Sequence, residues 1–330
     1  VLFNKVKGAK FDNGNHRLGF YILKLHKENL VNPFELVGDF LWEKWGSLYY
    51  NLGYPIYGSL EKYVERTYNW AFDSWKDQIW QEFSINNRKV GAPCFIVNYT
   101  QSPNYKGEVN LRETLSIWNQ AWFSSLRSAS GLFRYARRMG DDELLEKAKL
   151  SKELALSVPQ KDGLFYSVVA TEMYQVKIGD SYYNRSKGWE TKYFGNSNRN
   201  PVTSNLKNSP FHLLDMSWTA SIMLNWYLEL ERDERLLTYS ENYAERLLKL
   251  QYSNGFFPAW LDVETQLPIK YLNDSPESSM SALFLLKLYD ITHKSKYKHA
   301  ALKTLDVIIE KILPEGRWED FETYWSCSRW

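Results

Sequence analysis

The segment PFHLLDMSW sets His212 three residues before Asp215, at the start of a long apolar stretch. Glu277 holds a similar boundary in NDSPESSM, and Asp320 and Glu322 lie beside Trp318, Glu319 and Tyr324 in GRWEDFETYW. Carboxylates and an imidazole at such boundaries can do general acid–base work. Asp215 is the first choice, because a carboxylate at the mouth of an apolar helix is partly desolvated, which suits a general acid. A structural explanation competes with this: Asp215 caps the helix through the amides of Ser217 or Trp218. Glu277 likewise fits a first turn, where the helix dipole favours an acid without any catalysis.

These residues need a frame, and the frame is a repeat. SWTASIMLNWYLEL is apolar on nearly every side, as a helix buried all round would be. After the polar break ERDER, LLTYSENYAERLLKL places Leu236, Ser240, Tyr243, Leu247 and Leu250 on one stripe, the mark of an amphipathic helix. SNGFFPAWLD then closes the unit, with Gly255 and Pro258 ending the helix. The same plan runs upstream to Gly163 and downstream to Gly316. Twenty-two residues before each of these three glycines stand Asp141, Asp233 and Lys294, all in the break between helices. A repeated helical hairpin follows.

The expected fold is all-α: repeated antiparallel hairpins forming an (α/α) toroid or partial toroid, with long loops on one face. Inner helices are expected near 113–139, 216–231 and 277–292, and outer ones near 142–158, 234–251 and 295–312. Residues 1–32 read as an N-terminal extension and 33–330 as the toroid domain. The polar residues Glu113, Asn119, Gln120 and Arg127, set among Trp118, Trp122 and Phe123, read as a hydrogen-bond network or as a site. The connection 166–214, rich in Asn, Ser, Tyr and Lys, is long enough to be a functional lid or to lack structure.

Bulk properties exclude several classes. A net charge of +2 gives no reason to expect nucleic acid or an acidic membrane as partner. No apolar run approaches the length of a membrane span. Cys94 and Cys327 are too few for a disulfide framework or a four-ligand zinc site, so neither metal nor other cofactor is expected. The chain begins at Val1 without a signal-peptide pattern, which reads either as a processed form or as an excised one; a periplasmic or secreted location is expected, a cytoplasmic one being the alternative. Aromatics make up 16% of the residues, with 14 Trp. Most belong to a helical core, but tryptophans in closing loops, Trp260 and Trp318 above all, suit stacking on a sugar ring.

With the repeat and with segments such as NGFFPAWLD and GRWEDFETYW, the sequence resembles the α/α-toroid carbohydrate-active enzymes, the six-hairpin glycosidase superfamily. The resemblance covers roughly residues 33–325, and it departs from the pattern in showing about four hairpins where the full toroid has six. It implies a carbohydrate partner and a glycoside hydrolase acting on an oligo- or polysaccharide through a carboxylate pair. The pair would come from Asp215 with Glu277, Asp320 or Glu322, near His212. In a toroid the closing loops and inner-helix N-termini share one face. There Glu113, Asn119, Gln120, Trp122, Trp218, Trp260, Asp262, Trp318 and Tyr324 would line the substrate. A lyase or epimerase using His212 or Tyr324, with Asn119 and Arg127 beside a uronate, is the alternative; a non-catalytic sugar-binding toroid is another.

Overall fold

A computed structural model describes residues 14–15, 20–22, 24, 33–52, 60–94, 115–315 and 319. The calls on Glu113, Gly316, Trp318, Asp320, Glu322 and Tyr324 lie outside the described residues, as does Cys327. The chain divides into two compact units, Val1–Tyr54 and Pro55–Trp330. In the first, α1 (Pro33–Leu41) and α2 (Ser47–Leu52) are joined by a π-helical turn at Trp42–Gly46. Tyr21 meets Phe40 and Trp45 edge-on there, each at 5.3 Å.

The second unit opens with α3 (Glu61–Asn69), a π-helical turn and α4 (Lys76–Ile79). A hairpin of β1 (Trp80–Ile85) and β2 (Arg88–Pro93) follows. Asn86 and Asn87 turn it, both at positive φ, the conformation a two-residue hairpin loop requires. After β3 (Ser116–Trp118) comes the hairpin of α5 (Ser125–Met139) and α6 (Asp142–Ser157). The short strands β4 (Gln160–Lys161) and β5 (Leu164–Phe165) close it.

The long connection then forms β6 (Val168–Thr171), β7 (Met173–Ile178), β8 (Ser181–Ser186), β9 (Lys192–Gly195) and β10 (Phe211–His212). Next are α7 (Leu213–Glu229), α8 (Glu234–Leu250), β11 (Trp260–Leu261), α9 (Ser278–Thr292), α10 (Ser295–Val307) and the last turn α11 (Leu313–Glu315).

Three antiparallel hairpins, α5/α6, α7/α8 and α9/α10, thus stand in series, with α7 packed between α5 and α9. The residues picked out by the repeat are the N-caps of the outer helices: Asp141 for α6, Asp233 for α8 and Lys294 for α10. Asp141 Oδ1 accepts from Leu144 N at 3.0 Å, and Asp233 Oδ1 from Arg235 N at 3.1 Å, each filling an orphan donor of the first turn. The two closing glycines among the described residues share a role too. Gly163 (φ 84°) packs on the Asn242 carbonyl of α8, and Gly255 (φ 98°) on the Lys303 carbonyl of α10. Asn242 and Lys303 are each the ninth residue after the N-cap of their helix. A side chain at either glycine would collide with that backbone.

Burial follows the expected two layers. In α7, 11 of 17 residues are buried, against 7 of 17 in α8, so the former is the inner helix. The stripe Leu236, Ser240, Tyr243, Leu247 and Leu250 is wholly buried. From it, the Tyr243 hydroxyl meets Ser217 Oγ at 2.7 Å, and Ser217 Oγ meets Ser281 Oγ at 2.9 Å, tying α8 to α7 and α9.

The described residues depart from an all-α chain in five small sheets, the β1/β2, β4/β5 and β10/β11 pairs among them, and in two of the departures an expectation is corrected. The helix expected from residue 113 begins only at Ser125, after N-cap Ser124, whose Oγ accepts from Arg127 N at 3.2 Å. Before it, β3 pairs antiparallel with β6, Ile117 facing Val169, and β9 completes a three-stranded sheet. Local sequence could not show this, because the partner strands lie some fifty residues away. The connection 166–214 is likewise neither structureless nor a loose flap. Its second half is cross-braced: Asn196 Nδ2 donates to Ser209 O at 3.1 Å, and Asn200 Nδ2 to Ser197 O at 2.9 Å. Among the described residues, no helix is long and apolar enough to cross a membrane.

Candidate functional site

The pairing of β10 with β11 sets His212 opposite Trp260, and their rings stack at 5.1 Å with an interplanar angle of 18°. His212 is also the N-cap residue of α7, so Asp215 lies in the first turn directly beneath it. His212 Nδ1 stands 3.2 Å from Asp215 Oδ2, and Nε2 stands 3.1 Å from Glu277 Oε2 at the N-cap of α9. One imidazole therefore clasps two carboxylates from neighbouring inner helices. All three side chains are under a tenth exposed: 4% for His212, 2% for Asp215 and 8% for Glu277. Burial pulls the imidazole pKa down, but Asp215 and Glu277 outweigh it, and the ring is pushed up to about 10. His212 is thus an imidazolium at neutral pH.

Asp215 is not the helix cap that a structural role would make it. Its Oδ1 accepts from Ala121 N at 2.9 Å, across the chain, and the α7 amides of Ser217 and Trp218 are not its partners. Around it, four buried polar atoms have no hydrogen-bond partner: Gln120 Nε2, Asp215 Oδ2, Trp218 Nε1 and Trp260 Nε1. Asp215 Oδ2 makes the ion contact to His212 without the alignment of a hydrogen bond. Buried polar groups are normally satisfied, so these orphans are candidate partners for a polar ligand or water.

The other expected residues divide sharply. Asn119 is occupied in holding the frame: Oδ1 accepts from Ser125 Oγ at 2.8 Å and Leu126 N at 3.0 Å, and its carbonyl accepts from Thr219 Oγ1. Asp262 closes a turn, accepting from Glu264 N, Thr265 N and Thr265 Oγ1. The bonds from Thr265 hold its carboxyl below the usual range. Trp260 is fully buried, packed with Ala259 and Leu272, so it cannot offer a sugar the open ring face expected of it. Trp122 is 43% exposed, with the Arg199 guanidinium over its ring. Trp218 is half-buried, with the Arg127 guanidinium 6.0 Å from its ring.

One further residue was not singled out in the sequence. Arg199, from the cross-braced connection, lies 4.4 Å over Trp122 and 5.0 Å over Phe123. Its only sequence signal is a lone arginine in an Asn/Ser-rich stretch, which says nothing about where it lands.

No family model matches the chain, and no curated protein is similar to it. Solved structures do resemble it at low identity. An unsaturated glucuronyl hydrolase from Bacillus sp. GL1 is 16% identical (TM-score 0.41; 57% of this chain, 45% of that one). A GH76 α-mannanase from Bacteroides thetaiotaomicron is 14% identical (TM-score 0.43; 77% and 56%). A possible GH105 member from Klebsiella pneumoniae is 12% identical (TM-score 0.47; 84% and 57%). The chain spans about half the length of these structures.

Proposed function

We propose that the protein is a glycoside hydrolase acting on an oligo- or polysaccharide, with Asp215 and Glu277 as its two carboxylates. The observation that carries this reading is the clasp: two carboxylates on opposite nitrogens of one buried imidazole, at the mouths of adjacent inner helices. Oxygens held that way are no more than about 9 Å apart, inside the range of about 5–10 Å that glycosidases use. His212 serves as the proton store. Its Nε2–H passes a proton to Glu277, or its Nδ1–H to Asp215, leaving a neutral imidazole and a carboxylic acid that protonates the glycosidic oxygen. The other carboxylate, still ionised, acts as base on water or as nucleophile at the anomeric carbon. The orphan donors of Gln120 and Trp218 offer partners to sugar hydroxyls, and Trp122 offers a ring face.

A second reading, sugar binding without turnover, takes support from the burial of all three clasp groups, which also suits a clamp between α7 and α9. A panel of plant and microbial polysaccharides separates them, read by reducing-end release and by absorbance of unsaturated uronates. Reducing ends alone favour the hydrolase, both signals a lyase, and neither the binder. Asp215→Asn then abolishes turnover and leaves sugar binding intact; retained activity removes Asp215 from the mechanism.

A further inference from the structure

The clasp leaves a second feature of unit 55–330 unexplained. A cavity of about 200 Å³ lies at the start of α5, walled by Trp118, Trp122 and Phe123 and edged by Ser125, Arg127 and Ser128. We propose that it is a second sugar subsite, holding one pyranose unit of a chain whose neighbouring unit sits at the carboxylate pair. This rests on the sugar-active reading above and adds a requirement on substrate length.

Continuity argues for it first. Ala121 N donates to Asp215 Oδ1, and the next residue, Trp122, is already cavity wall. The stretch of chain that bonds the carboxylate therefore runs directly into the cavity wall. Arg127 spans the same gap from the other side, its Nη2 donating to Trp122 O at 2.9 Å while its guanidinium lies over Trp218. Trp218 in turn is one helical turn beyond Asp215.

The lining chemistry argues second. Trp118 and Phe123 meet at 81° with centroids 6.5 Å apart, making an apolar corner. A pyranose has apolar C–H faces for such walls and a hydroxyl rim for the Arg127 N–H groups. The volume is below the roughly 300–1,000 Å³ of sites for drug-sized ligands, so the cavity takes one ring and not two.

The test is a length profile. Dissociation constants of the full chain are measured by calorimetry for manno-, gluco-, xylo- and glucurono-oligosaccharides, from monomer to hexamer. In the wild type, affinity rises about tenfold on going from monomer to dimer in whichever series binds. Ser128→Phe fills the cavity from the exposed side of α5 and removes that rise, leaving monomer binding unchanged. Ser128→Ala keeps the rise, showing that the lost Ser128 Oγ bond to Ser124 O is not the cause. A rise that survives Ser128→Phe overturns the subsite, and so does an equal loss at every length. A wild type that binds all lengths of one series equally removes the subsite alone. A wild type that binds none of the four series removes the sugar reading with it.

Discussion

His212 Nε2 stands 3.1 Å from Glu277 Oε2, so a charge contact crosses from the mouth of one hairpin to the mouth of the next. The folded chain keeps a proton on His212 up to about pH 10, whereas an unfolded histidine releases it near 6.5. The stability this adds is fully present below pH 6.5 and is lost as pH rises through about 10. Denaturant midpoints measured across that window fall for the wild type and lose this slope in His212→Gln. Parallel curves for the two proteins would disprove the clasp.

The closing glycines differ from an ordinary helix-end glycine. A Cβ at Gly163 would stand 2.3 Å from Asn242 O, and one at Gly255 2.7 Å from Lys303 O, while nothing lies within 4 Å of one at Gly140. Gly163→Ala and Gly255→Ala each cost about 2–4 kcal/mol, from backbone strain and collision together. Gly140→Ala, at φ 69°, costs about 1 kcal/mol from strain alone. Urea unfolding ranks the three, and equal losses would refute the packing account.

Lys152 is the buried centre of an ion cluster. Its side chain is 5% exposed, and Nζ lies 2.9 Å from Asp233 Oδ2 and in contact with Glu231. Arg235 also grips Asp233, so one partner keeps a cation when the lysine goes. Lys152→Met is expected to cost about 1–3 kcal/mol, chiefly by leaving Glu231 uncompensated. Adding Glu231→Gln should restore part of that; no recovery in the double variant would assign the loss to packing instead.

Trp122 and Trp260 should respond in opposite ways. Trp122→Ala weakens sugar binding by about 1 kcal/mol or more with little change in melting temperature, because the ring is half open. Trp260→Ala costs about 3–5 kcal/mol of stability, since its ring is fully buried on His212. Calorimetric binding and thermal unfolding of the two variants decide the matter.

What was legible in the sequence was local and periodic. The stripe from Leu236 to Leu250, the helix breaks and the closing glycines follow from one-dimensional spacing, and they reappear as core, N-caps and backbone contacts. His212, Asp215 and Glu277 were visible as boundary residues, but the imidazole's position between the two acids depends on β10 pairing with β11, which spacing does not encode. Trp260 was misread as an open platform for the same reason: its exposure is set by what stacks on it. Ser116–Trp118 looked helical because its strand partners are far off in sequence, and Arg199 gave no signal because only the folded connection carries it to Trp122.

The Gly163–Asn242 and Gly255–Lys303 contacts join each hairpin only to the one that follows. Such joints add nearest-neighbour coupling to a core that runs continuously through all three hairpins. Damage at one joint is therefore felt first at that joint, and its amide protons should exchange ahead of those in the core. The clasp is a tie of the same kind, made at the N-termini of α7 and α9. The energy that keeps the candidate acids in register is thus the energy that keeps two modules docked, and loosening either would loosen both.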